Sequence, residues 1–92
     1  NKLTRNFAID NNGIGIWIDT GSGMALKKNL ISGSGSNGIF VGSNGHSVAG
    51  NSIYDVNGTG IYIDGVDNSI ANNVALRSNA VDFEDATVGC AN

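Results

Sequence analysis

Asn51-Ser52-Ile53-Tyr54, followed by Gly60-Ile61-Tyr62-Ile63, is the stretch whose reading decides the fold. The same arrangement stands one period earlier as Asn29-Leu30-Ile31-Ser32 with Gly38-Ile39-Phe40-Val41, and before that as Asn6-Phe7-Ala8-Ile9 with Gly15-Ile16-Trp17-Ile18. Asn73 continues the series, so the signature returns every 22 or 23 residues. A period of that length marks a solenoid, in which one repeat cannot bury its apolar face until its neighbours stack on it. Aligned on the Asn, the coils are residues 1–23, 24–45, 46–67 and 68–89, within a single domain of 92 residues.

Stacking the coils gives an apolar column of Leu3, Leu26, Val48 and Ile70 and a second of Ala8, Ile31, Ile53 and Ala75. After a Gly or Ala column of Gly15, Gly38, Gly60 and Ala80 come Ile16, Ile39, Ile61 and Val81, then Ile18, Val41, Ile63 and Phe83. In a chain that is 40% apolar, a four-member column is wholly apolar by chance roughly once in forty. Four such columns in one 22-residue period are well beyond that expectation. The Asn column of Asn6, Asn29, Asn51 and Asn73 is stronger still. With fourteen Asn in the chain, chance would fill a given column about once in two thousand trials. Asn tolerates the left-handed backbone of a tight bend, and its amide both donates and accepts, so identical residues one strand spacing apart can bond along an internal ladder.

Around Ile16-Trp17-Ile18, Ile39-Phe40-Val41 and Ile61-Tyr62-Ile63 the alternation has period two, which turns the aliphatics one way and the aromatics the other. Three short strands per coil are predicted, with no helix of ten or more residues. Two irregularities fall between strands: an extra residue between Ile18 and Leu26, and a fourth coil with eight residues from Asn73 to Val81 where the others have ten.

Composition excludes several classes. The net charge is −3, from five basic and eight acidic residues, and the basic ones form no run, which argues against a nucleic-acid partner. Apolar runs of two to four residues are far from the ~18–20 needed to cross a bilayer, so membrane insertion is not expected. Gly and Asn are abundant, but Ile and Val are interleaved among them at regular spacing, which argues against disorder. Cys90 is the single cysteine, and it can form neither an intrachain disulfide nor a protein-only zinc site.

The pattern Asn-x-apolar-x-x-Asn-x-apolar, then Gly-Ile-x-Ile, resembles the right-handed parallel β-helix repeat of the pectate-lyase-like superfamily, and within it the Asn- and Gly-rich carbohydrate-binding and sugar-hydrolase type repeats. The resemblance covers residues 1–89. It implies an all-β, three-sided right-handed solenoid and, through the secreted members of that superfamily, an extracellular, cell-surface or periplasmic location. It does not imply one chemistry, since lyases, hydrolases, epimerases, tailspikes and adhesins share the repeat. The run from Val81 to Cys90 is similar to the approach to a last coil in secreted members. Without evident caps, the chain reads as an excerpt of a longer solenoid or as a unit that stacks coil on coil.

With Ile16 and Ile18 inward, Trp17 and Asp19 share the outer face; so do Phe40 with Gly42, Tyr62 with Asp64, and Asp82 with Glu84. Aromatic rings about one strand spacing apart beside carboxylates suit sugars, whose C–H faces stack on rings while hydroxyls donate to acids. In the resembled enzymes the polysaccharide lies on an outer strand face. Trp17, Asp19, Phe40, Tyr62, Asp64, Asp82 and Glu84 are therefore the candidate carbohydrate-binding residues. The same ladder could equally serve only to stabilise neighbouring strands, or form a protein interface. A second outer stripe, Phe7, Leu30 and Val74 beside Ile9, Tyr54 and Leu76, is interrupted by Ser32 and Ser52 and reads as a surface covered by further chain or by another subunit.

No residue is assigned a catalytic role. Asp64 and Glu84 on adjacent coils, or Asp19 and Asp64 two coils apart, fall near the carboxylate spacings of glycosidases, but a solenoid generates such spacings in every column. The acid pairs beside Gly-His or Arg-x-Lys that the resembled enzymes carry are not reproduced. His46, in the Gly45-His46 pair, shares its position with Asn1, Met24 and Asn68 and reads as a solvent-facing turn histidine. Asp64-Gly65-Val66-Asp67 has too few ligands for a recognised Ca²⁺ loop and reads as an acidic turn, so no metal and no cofactor is assigned. Lys2, Arg5, Lys27 and Lys28 form a solvated edge that discourages wrong stacking. The sequence thus points to a non-catalytic, carbohydrate-associated β-helix module. A self-associating structural module and the inert middle of a polysaccharide lyase or hydrolase are the alternatives.

Overall fold

The computed structural model of the chain describes residues 2–4, 6–9 and 12–85. Among these residues, twelve strands of three residues each wind into a parallel solenoid. Sheet A stacks β1 (Lys2–Thr4), β4 (Ala25–Lys27), β7 (Ser47–Ala49) and β10 (Ser69–Ala71). Sheet B stacks β2 (Phe7–Ile9), β5 (Leu30–Ser32), β8 (Ser52–Tyr54) and β11 (Val74–Leu76), and sheet C stacks β3 (Ile16–Ile18), β6 (Ile39–Val41), β9 (Ile61–Ile63) and β12 (Phe83–Asp85). Each coil visits A, B and C in turn, as the three apolar patches of the repeat predict.

Strand length follows from the repeat. One inward residue per strand in sheets A and B, and two in sheet C, are all that a narrow three-sided interior accommodates. Leu26, Val48, Ile31, Ile53, Ile39, Val41, Ile61 and Ile63 are fully or almost fully buried, and each contributes about 1.5–3 kcal/mol by leaving water. Ile16, Ile18 and Val56 complete this core, with Met24, Ile70 and Ala75 against its edges. Neighbours pair in register at an offset of 23 residues between the first two coils and 22 thereafter, which places the extra residue between Ile18 and Ala25 as expected.

The fourth coil departs from the sequence reading. Phe83, Glu84 and Asp85 pair with Ile61, Tyr62 and Ile63, so Asn73 lies ten residues before Phe83, as in every other coil, and nothing is deleted. The partner of Gly60 is Asp82, whose carbonyl accepts the Ile61 N–H at 3.0 Å, and not Ala80. The inward columns of sheet C therefore end in Phe83 and Asp85. That column requires no Cβ at all, so the smallness of Ala80 does not qualify it: a Cβ on Gly15, Gly38 or Gly60 would lie 2.5–2.7 Å from the carbonyl oxygen of the matching residue in the next coil. Asp82, in the last described coil, meets no such carbonyl among the described residues.

The Asn ladder is formed, with one correction. The backbone and side-chain N–H groups of Asn6 donate to Asn29 Oδ1, those of Asn29 to Asn51 Oδ1, and those of Asn51 to Asn73 Oδ1, at 2.9–3.1 Å. The amides of Asn51 and Asn73 also donate across the coil to the carbonyls of Leu26 and Val48. The left-handed backbone belongs to the residue before Asn29, Asn51 and Asn73: Lys28, Gly50 and Asn72 have φ of 56°, 69° and 57°. The column is selected for the amide, and the bend is carried next door.

His46 is a second correction. It is 2% exposed and belongs to a further corner column with Met24 and Asn68. Its Nδ1 accepts the Met24 N–H at 3.1 Å, which puts the ring proton on Nε2, 2.7 Å from Ser43 Oγ, while its own backbone N–H donates to Asn68 Oδ1 at 2.8 Å. The ring occupies the role that Asn plays elsewhere in the ladder. His46→Asn is accordingly expected to stay within about 1 kcal/mol of the parent in urea unfolding, whereas His46→Leu, which removes the acceptor, is expected to lose about 2–4 kcal/mol.

On the outside, Asp55 and Arg77 pair across adjacent coils at 2.6 Å. The hydrogen bond to Asp55, and then its charge, raise the Arg77 guanidinium above its ordinary value. Both side chains are open to water, so the pair adds little to stability.

Candidate functional site

Two inward residues flanking one outward residue define each strand of sheet C, and this fixes which side chains line its outer face. Trp17, Phe40, Tyr62 and Glu84 stand in register there. The N–H of Gly42 donates to Ile18 O, and that of Asp64 to Val41 O, both at 2.7 Å, so the ladder extends one residue further and aligns Asp19, Gly42 and Asp64. Trp17 is 61% exposed, and Asp19, Asp64 and Glu84 are exposed beside half-buried Phe40 and Tyr62.

The three rings are not equivalent. Phe40 and Tyr62 stack with centroids 5.1 Å apart and planes 9° from parallel, so each covers a face of the other. Trp17 meets Phe40 edge to face at 6.1 Å and 78°. Such contacts add about 0.5–1.5 kcal/mol each beyond burial. The stacked pair thus stabilises its strands, while the indole carries most of the open aromatic surface. Gly42 contributes by what it lacks: a Cβ there would come within 3.0 Å of Phe40 Cε1, so the Phe40 ring leans over the gap between Asp19 and Asp64.

Two of the predicted acids stand elsewhere than the sequence placed them. Asp82 is a corner residue whose carboxylate accepts the Ser78 N–H at 3.2 Å, and it does not share the aromatic face. Glu84 replaces it as the fourth member of the aromatic column, with the Thr59 hydroxyl donating to its Oε1 at 3.4 Å. Glu84 is therefore diagonal to Asp64 and not opposite it, and the adjacent-coil carboxylate pair does not form. The equal Asn-to-strand spacing of ten residues was the signal for this register. Trp17, Asp19, Phe40, Tyr62 and Asp64 lie together as expected.

Asp64 and Asp67 are exposed in their turn, where Val66 N–H is taken by Asn44 Oδ1 at 2.8 Å, and Asp67 has a left-handed φ of 59°. Among the described residues no group of three ligating side chains gathers there or elsewhere, and no cleft is enclosed. The candidate site is an open strand face. On sheet B, the predicted apolar stripe exposes Ile9, Val74 and Leu76 but half-buries Leu30 and Tyr54. The side chain of Phe7, like Arg5 and Cys90, lies outside what the structure describes.

A family model described as a right-handed beta helix region matches residues 1–89. The chain belongs to the right-handed β-helix family. No curated protein and no solved structure gives a significant match. Membership of the β-helix family accounts for the inner columns and the corner ladders.

Proposed function

We propose that this β-helix, similar in its repeat to those of the pectate-lyase-like superfamily, is a non-catalytic, carbohydrate-associated module of an extracellular or cell-envelope protein. It binds polysaccharide on the outer face of sheet C. The observation that carries the reading is Trp17: a large indole left 61% open on a regular strand, beside the exposed carboxylate of Asp19. An exposed aromatic of that size supplies the apolar surface for a sugar ring, and carboxylates supply acceptors for its hydroxyls. A flat face without a cleft suits a long, repetitive ligand. In a pull-down against a panel of insoluble polysaccharides, the parent chain is expected to be retained by at least one. Trp17→Ala is expected to lose most of that retention, with little change in unfolding midpoint. Equal retention of the variant would remove the aromatic face from the reading.

A second reading, a self-associating structural solenoid, is favoured by the exposed Ile9, Val74 and Leu76 on sheet B. Sedimentation across a wide dilution series separates the two, since a monomer at every concentration leaves sheet B without a partner of its own kind.

A further inference from the structure

The outer face of sheet C carries charge of one sign. Asp19, Asp64 and Glu84 project from it, and among the described residues it holds no basic side chain. The cationic side chains that the structure describes lie elsewhere: Lys27 on the outer side of sheet A, Lys28 at the corner that follows, and Arg77 at the corner after sheet B, bonded to Asp55. A polyuronate laid along Trp17, Phe40 and Tyr62 would bring its carboxylates against three like charges. A glycan with protonated amines would meet charge-assisted acceptors. Asp19 and Asp64, two coils apart, are separated by about 10 Å at the ordinary strand spacing, with Gly42 and the leaning Phe40 ring between them. An amine-bearing pyranose stacked on Trp17 would meet the edge of the Phe40 ring there, with a carboxylate on either side.

We propose that this face selects glycans of the glucosamine-polymer class, bearing protonated amines, over polyuronates, with Trp17 as the stacking platform and Asp19 and Asp64 as the amine acceptors. The inference rests on the glycan-binding reading above and assigns its ligand class. A cationic peptide would satisfy the carboxylates but would make no particular use of the indole.

The test is affinity electrophoresis or biolayer interferometry at mildly acidic pH, with partially deacetylated chitosan, acetylated chitin oligomers, polygalacturonate and polylysine as probes. Chitosan is expected to bind at least tenfold more tightly than polygalacturonate, and more weakly as ionic strength rises. Asp19→Asn combined with Asp64→Asn is expected to weaken chitosan binding about tenfold, and Trp17→Ala to weaken it by a similar factor. Asp67→Asn, which removes an exposed charge from a corner whose left-handed backbone suits Asn, is expected to leave it unchanged. Equal loss in Asp67→Asn would overturn the proposal, because net charge alone would then explain capture. So would polylysine binding as tight as chitosan binding with no effect of Trp17→Ala. If chitin oligomers bind as well as chitosan, the charge selection falls while glycan binding stands. If no glycan binds, both fall.

Discussion

Asn51→Leu is expected to destabilise the chain by about 3–6 kcal/mol, against a total of about 5–14 kcal/mol for a domain of this length. Asn51 is 1% exposed, and its Oδ1 accepts both the backbone N–H and the amide of Asn29 while its Nδ2 donates to Leu26 O and Asn73 Oδ1. Leucine keeps the branched shape but is bulkier, and it takes a partner from several buried polar groups at once, each worth roughly 1–3 kcal/mol when left unpaired. Urea unfolding followed by far-ultraviolet circular dichroism would show the loss. Asn51→Asp sharpens the result, since it keeps the acceptor toward Asn29 and puts an oxygen where the donor faced Leu26 O. At neutral pH it is expected to be nearly as damaging as Asn51→Leu. A small effect of both would mean that the ladder is an ornament of the corner and not its support.

Gly38→Ala has the second large effect, about 3 kcal/mol by the same measurement. Its Cβ would stand 2.5 Å from Ile53 Cγ2 and 2.6 Å from Gly60 O. Ile53 is fully buried and has nowhere to turn, and Gly60 O is held by the Ile39 N–H at 2.8 Å. Relief therefore requires the coils to part, which weakens the ladder on either side. Gly13→Ala is the control: nothing lies within 4 Å of its added Cβ, so the change is expected to be neutral or stabilising by about 0.5 kcal/mol.

These two positions also show how far the sequence could be read. The Asn column and the strand triplets are legible because every coil repeats them, and the extra residue after Ile18 because it interrupts that repeat; a solenoid makes repetition equivalent to contact. The last coil was misread where its residues stop matching. Asp82 occupies a glycine position where no carbonyl among the described residues crowds it, and the small Ala80 matches the glycines better although the ten-residue spacing points to Phe83. His46 was misread for a related reason. A lone histidine in a polar corner gives no hint of burial, because Met24 in the same column hides the fact that His46 and Asn68 each accept an N–H from a neighbouring coil. On the candidate site, the alternation of Ile16-Trp17-Ile18 placed the rings outward, but the stacking of Phe40 on Tyr62 depends on side-chain torsions that no pattern of letters encodes. The alternation places Gly42 on the same face, but that its missing side chain lets the Phe40 ring lean between Asp19 and Asp64 depends on the same torsions.

Inner columns build the coil, the outer face of sheet C is the proposed ligand surface, and Trp17 reports directly on that surface because it is the only tryptophan in the chain. Its emission, measured while soluble polysaccharides are titrated in, is the most direct test. Binding on sheet C is expected to shift the emission to the blue, saturably, and to shield the indole from acrylamide with at least one glycan. An emission maximum and a quenching constant that stay fixed across the whole panel would contradict the account.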